Sequence, residues 1–416
     1  MTSEKHLKAR IRARMARTGE RYTTARRHVV GDVPATTTDH GYALRGGLHP
    51  ESAAVANLLA HHGVRGLSEA MVLGVGGGLG AGYILWEFSR HDSRILTLGF
   101  RRRWNYLDWT VTTLRRLGAE PAVHTTAGSG AAAAALDAGM PALVTPDRYH
   151  AGYWHLPGHL DGHGGHQVVA YAAGDDGRVH LDDRNLAPLT VDREVLARAR
   201  GRVVSYRNHL VSVTGVTPVD LAAAARAGIA ECVAHLGGTS ASFALPAWAK
   251  WARLVTDTRN AKGWPRVFAD GRGLAGALLS AWEGTEPVGA DGGHLRGLYA
   301  DFLDEAAPLI GVPLAGAAAA FRAAGEAWHA VAEAALPADV PAYARMRELS
   351  AAVAAGVAAG DAGAADRAAA AAELWELRAE YDARPPVEPD FAALAARLRA
   401  AHAAEVTAVA ELRHAA

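Results

Sequence analysis

Gly46-Gly47-Leu48-His49-Pro50-Glu51-Ser52-Ala53-Ala54-Val55-Ala56-Asn57-Leu58-Leu59 is followed by Leu67-Ser68-Glu69-Ala70-Met71 and then by Gly74-Val75-Gly76-Gly77-Gly78-Leu79-Gly80-Ala81-Gly82-Tyr83. The glycine pair leads into an apolar helical run with Pro50 at its first turn, where the missing N–H costs nothing. Such a helix start presents free N–H groups and a partial positive charge, which suit a nucleophile or a bound anion. His49, Glu51 and Ser52 stand there as candidate acid–base or nucleophilic groups, although Ser52 also has the plain role of capping backbone N–H groups. Glu69 either faces a cleft or caps the turn that Ser68 begins. The glycine-dense loop implies that something approaches the backbone closely, a ligand or a packed layer. With Tyr83 and Pro50, its Gly76, Gly77 and Gly78 are candidate substrate-lining residues.

From 71 to 146 short apolar runs alternate with helical stretches. Strands are expected at Met71–Val75, Ile95–Phe100, Ala122–Thr126 and Ala142–Thr145, with helices near 80–90, 104–118 and 128–139. Taken alone, this alternation suggests βαβ units. Gly76-x-Gly78-x-x-Ala81 fits a loose dinucleotide fingerprint, and Arg101, Arg102 and Arg103 follow a strand as a 2′-phosphate site would. An NADP-dependent oxidoreductase is therefore one alternative. Against it, no acidic residue closes the second strand, and the loop has more glycines than the fingerprint requires.

His150, His155, His159, His163 and His166 fall in one turn-rich segment. The spacing of His155, His159 and His163 would align three imidazoles on a helix and could ligate zinc. Pro157 and the interspersed glycines oppose a regular helix, so loop histidines without a metal are the expectation. Gln167–Ala172, the turn Gly174-Asp175-Asp176-Gly177 and Val179–Asp183 then read as a β-hairpin. Thr190–Arg200 reads as a strand end and short helix, and Arg202–Val213 as another strand.

The chain has 416 residues, half of them hydrophobic, with 43 basic against 43 acidic side chains. That composition describes a soluble globular protein of two or three domains with no overall field for nucleic acid. Residues 1–35 form a locally basic arm, read as a solvated or loosely packed segment, or as one facing an anionic partner such as a carrier protein's phosphopantetheine or RNA. Cys232 is the single cysteine, which excludes intrachain disulfides and fits a reducing cytoplasm. No signal-peptide core and no membrane-spanning run are seen, so a cytoplasmic protein is expected. From Asp220 onward the chain turns alanine- and leucine-rich, with Asp220–Leu236 stopped by Gly237-Gly238. A first domain at 36–217 and a helical one at 218–416 follow, the second offering helices through which a homodimer could form.

The stretch 46–82 resembles the butirosin biosynthesis protein H N-terminal family, which reads Gly-Gly-x-His-Cys-Glu-Ser/Thr, a helix, Leu-Ser-Glu-x-Met, and Gly-Leu-Gly-x-Gly-Leu-Gly. Gly46, Gly47, His49, Glu51, Ser52, Leu67, Ser68, Glu69, Met71 and the run Gly74–Gly80 carry the likeness. Gly292-Gly293-His294-Leu295-Arg296 with Tyr299, Phe302, Leu303, Glu305 and Ala306 likewise resembles the uncharacterised helical domain that usually follows. The resemblance implies an α+β, papain-like domain with a central antiparallel sheet, then an all-α domain. It also implies transfer of an acyl or aminoacyl group from a carrier-protein thioester to an amine, here on a small or carrier-bound substrate in secondary metabolism, without a cofactor. By the same likeness His166 and Asp183 stand where the catalytic histidine and its orienting acid belong, with Asp182 as the fallback. One position departs: Pro50 replaces the nucleophilic cysteine. A serine nucleophile at Ser52, acid–base chemistry without a covalent intermediate using His166, Asp183, His49 and Glu51, and a catalytically inactive binding protein all remain open.

Overall fold

The computed structural model describes residues 35–87, 94–102 and 106–415. The basic arm, but for its last residue, and Arg103 lie outside them. The strands are β1 (Thr36–Thr37), β2 (Ala43–Leu44), β3 (Leu79–Glu87), β4 (Arg94–Arg101), β5 (Ala119–His124), β6 (Ala142–Val144), β7 (Val168–Ala173), β8 (Arg178–Asp182), β9 (Leu189–Asp192) and β10 (Leu210–Val216). β5 to β10 form one antiparallel sheet in the order β5-β10-β6-β7-β8-β9. Ala142–Val144 and Val168–Ala170 are wholly buried at successive positions, so both faces of the sheet centre are covered. Helix α1 (Pro50–His61) supplies part of that cover, packing on β6 and β7 and burying Val55, Leu58 and Leu59.

The expected hairpin forms: β7 and β8 pair across the turn at Gly174–Gly177, where Gly177 takes a φ of 80° that suits glycine. Two expectations fail at the glycine loop. Met71–Val75 is not a strand but part of helix α2 (Glu69–Val75), started by Ser68, whose hydroxyl accepts the Met71 N–H at 2.9 Å. A short apolar run is ambiguous by periodicity, and the capping serine decides it. The helix expected at 80–90 is instead strand β3, which pairs with β4 as an antiparallel hairpin. Gly80 permits this, since a side chain there would stand 2.2 Å from the Arg101 carbonyl oxygen. The strand expected from Arg202 starts only at Leu210 and runs to Val216.

Beyond β10 the chain is helical among the described residues. It includes α7 (Leu221–Leu236), α8 (Pro246–Leu254), α10 (Leu274–Thr285), α11 (Arg296–Ile310), α12 (Ala315–Ala335) and the last helix, α15 (Phe391–Ala415). The β3–β4 hairpin lies against α7, α8 and α10 rather than against the six-stranded sheet. Tyr83 stacks on Trp251 at 5.3 Å, and its hydroxyl accepts the Trp264 Nε1–H at 2.9 Å. The N-terminal half thus lends a hairpin to the core of the helical half. In return, Gly360 presses on the Pro188 carbonyl, and Leu186 N–H donates to the Ala358 carbonyl at 2.8 Å, fixing the turn before edge strand β9. No helix among the described residues is long and apolar enough to cross a membrane.

Candidate functional site

Two short segments meet at the site: the loop and first turn of α1, and the residues flanking the β7–β8 hairpin. His166 precedes β7 and is 3% exposed; its Nε2 lies 2.7 Å from Asp183 Oδ1, just past the end of β8. The other carboxylate oxygen, Oδ2, accepts from Tyr153 Oη at 3.0 Å and Trp154 Nε1 at 2.9 Å. Arg184 closes the arrangement: its Nη2 bonds Asp183 Oδ1 at 3.1 Å, and its Nη1 donates to the Leu48 carbonyl at 3.0 Å. One side chain therefore ties the orienting acid to the loop that leads into Pro50. Arg184 does so from a left-handed backbone, φ 61°, a conformation that costs a non-glycine residue energy and persists where neighbours enforce it. The Nδ1 of His166 makes no hydrogen bond among the described residues, leaving it as the ring atom able to exchange a proton.

Burial alone would raise the Asp183 carboxyl, but the charges of His166 and Arg184 outweigh it and hold it well below the ordinary carboxylate range. Asp182 behaves oppositely. Burial pushes it up to about 6, despite hydrogen bonds from Asn57 Nδ2 and Tyr42 Oη, both 2.9 Å away. The two adjacent acids thus divide the work: Asp183 orients His166, and Asp182 anchors β8 to α1. The fallback assignment of Asp182 as the partner of His166 is not what the geometry shows. A group with a lowered folded pKa stabilises the fold above its unfolded pKa and loses that contribution as pH falls. We therefore expect Asp183→Asn to cost about 3 kcal/mol at pH 7. In urea unfolding the gap between variant and wild type should narrow as pH drops below the ordinary aspartate value of 3.8.

At the α1 start the donors are already used. Leu48 and His49 N–H groups donate to the two oxygens of Glu69 at 2.9 and 2.8 Å. Pro50 has no N–H. Ser52 N–H reaches His49 Nδ1 at 3.3 Å. The half-buried Glu69 thus places its carboxylate where an anion would otherwise meet these N–H groups. Ser52 Oγ lies 3.0 Å from His49 Nδ1 and 3.0 Å from Glu69 Oε1, with no exposed surface. His49 Nε2 in turn meets Glu51 Oε2 at 2.8 Å, and Glu51 faces Arg101 at 3.7 Å. Burial would raise the Glu51 carboxyl, but the His49 and Arg101 charges hold it below the usual range. A serine, a histidine and a carboxylate thus align as a nucleophilic set would, yet Ser52 is sealed and bonded on both sides. It caps the helix.

The glycine loop is filled by protein. Side chains at Gly74, Gly76 and Gly78 would stand 2.2 Å from Phe302, 2.5 Å from Trp109 and 2.4 Å from Tyr299. At Gly77 the neighbours are Arg102 and Glu231, which pair with each other. Gly77, Gly78 and the buried Tyr83 are packing positions where the helical half comes close, and Gly76 is one where Trp109 does, which corrects their reading as substrate-lining residues. The dinucleotide alternative loses its basis too: an antiparallel hairpin follows the loop, Arg101 lies over the Trp109 ring, and Arg102 is held by Glu231. His155, His159 and His163 share no helix; the segment holds only a 3₁₀ turn at Gly158–Leu160. The carboxylate-and-imidazole group that does assemble there is Asp147, His150 and Asp161, and Asp161 is already bound by Arg202 at 2.6 Å.

Sequence reading missed Tyr153 and Trp154, which carried no signal. Asp183-Arg184 resembles the Asp-Arg ending of the family, but the bonds that Arg184 makes to Asp183 and the Leu48 carbonyl were not foreseen.

Comparison with known families places two matches on this frame. Residues 49–184 match the model described as butirosin biosynthesis protein H, N-terminal, and residues 195–359 match the domain of unknown function DUF4872. No curated protein matches the chain. The second match begins within the helix Arg193–Gly201 and includes β10, which lies between β5 and β6, so the two matched stretches share one sheet. The chain thus carries a butirosin biosynthesis protein H N-terminal domain at residues 49–184, followed by a DUF4872 domain at residues 195–359.

Proposed function

We propose that this protein serves natural-product biosynthesis by moving protons on a bound small or carrier-linked acyl substrate, without an acyl-enzyme. The carrying observation is the oriented His166–Asp183 pair, held by Tyr153, Trp154 and Arg184 with Nδ1 left free. On a papain-like frame, that pair would serve the residue at the start of α1, where Pro50 now offers neither a thiol nor an N–H. The neighbouring donors are consumed by Glu69, so a developing oxyanion would lack the preorganised stabilisation that usually contributes most to acyl transfer. Reactions driven by proton abstraction and return, such as cyclisation or elimination, need only the base. The burial of His166 and Asp183, each 3% exposed, favours a second reading as a noncatalytic binding protein.

Complementation in the producing host separates the two. A deletion strain carrying His166→Ala should accumulate the same intermediate as the deletion, whereas Ser52→Ala should restore the product. Restoration by His166→Ala would reject the proton-transfer reading in favour of the binding protein.

A further inference from the structure

A cavity of about 260 Å³ opens between helix α4 (Ser129–Gly139) and helix α6 (Arg193–Gly201), in a part of the molecule that the His166 chemistry does not use. Its polar lining is dominated by three arginines, Arg193, Arg200 and Arg207, and no carboxylate among the described residues lines it. Arg193 pairs with Asp137 outside the lining. Arg200 is 2% exposed, and among the described residues its guanidinium has only two long contacts, 3.4 Å to the Ala132 carbonyl and 3.5 Å to the Asn208 carbonyl. Its Nε and the Nε of Arg207 are both buried without a hydrogen-bond partner among the described residues. Burial is the one influence on Arg200, and it pushes the guanidinium down to about 10. A buried cation without an anion is costly, and structures normally pair it.

The start of α4 points to the same chemistry. Gly128 occupies its cap position and no side chain caps the helix, while Ala127 and Ser129 line the cavity. Uncapped N–H groups at a helix start, set beside guanidinium forks, are the groups that bind phosphate oxygens. The remaining wall is mostly alanine and leucine, with Gly201 and Asn208, and suits a small, largely apolar body behind an anionic head. The volume holds roughly eight or nine waters' worth of ligand, more than a bare anion needs.

We propose that this cavity binds a phosphate group, free or as the monoester of a small molecule, between Arg200, Arg207 and the start of α4. The phosphate supplies the anion that Arg200 lacks. Isothermal titration of the full chain with inorganic phosphate and with glycerol 3-phosphate, against chloride of matched ionic strength, tests this. Saturable binding is expected, weakened at least tenfold in Arg207→Ala and in Arg200→Met. The Arg200→Met apoprotein should melt no lower than wild type, because it loses an unpaired buried charge; should it fail to fold, Arg207→Ala at the partly exposed position still decides. Tighter binding of glycerol 3-phosphate assigns a monoester, and binding of inorganic phosphate alone assigns the free anion. No saturable binding of either, or binding unchanged in the folded variants, overturns the proposal. Since neither arginine contacts His166 or Asp183, either result leaves the proton-transfer reading untouched.

Discussion

Arg296→Met should unfold at markedly lower urea concentration than wild type, with a loss of about 3–5 kcal/mol. Arg296 and Glu405 have no exposed surface, and Arg296 Nε donates to Glu405 Oε1 at 2.6 Å. The same oxygen accepts from Trp328 Nε1 at 2.6 Å. The guanidinium also donates to the carbonyls of Gly80 at 2.9 Å, His294 at 2.7 Å and Phe100 at 3.3 Å, and lies 4.9 Å from the Phe100 ring centroid. One residue therefore joins both strands of the β3–β4 hairpin to α11 and α15. Removing it strands a buried carboxylate and frees backbone carbonyls in an apolar setting. The double variant Arg296→Met/Glu405→Leu should recover most of the loss, because the uncompensated charge goes with it. Equal destabilisation of single and double variants would mean that the backbone contacts, not the charge pair, dominate.

That network explains what the sequence could and could not convey. The run Gly292-Gly293-x-x-Arg296 was visible as a motif, but nothing in it says that Arg296 reaches a partner more than a hundred positions away. Nor does it say that a side chain at Gly292 would stand 2.4 Å from the Leu48 carbonyl oxygen, beside the candidate site. The β7–β8 hairpin was legible because turn chemistry and alternation are local properties, whereas His166 and Asp183 were singled out by the family resemblance. The glycine loop was misread for the opposite reason. Its glycines answer to Phe302, Trp109 and Tyr299, long-range neighbours that leave no local trace, and without them a glycine-rich turn suggests a ligand. Glu69 shows the same limit: its place in a motif was plain, while its carboxylate turned out to satisfy the helix start itself.

Arg184 ties Asp183 to the Leu48 carbonyl, two residues before position 50, and we therefore expect the base to serve that position. Pro50→Cys should then acquire a reactive thiolate, favoured by the helix start and by His166. It also restores an N–H at the same position. Cys232 provides an internal control, since it is buried and its thiol is pushed up to about 11 by that burial. The measurement is the rate of iodoacetamide labelling at pH 7, followed by intact mass. A single label at position 50 is expected in Pro50→Cys, added at least tenfold more slowly in Pro50→Cys/His166→Ala, with wild type unlabelled. Labelling of the introduced thiol at the same rate with or without His166 would contradict this account, because the pair would then not face the start of α1.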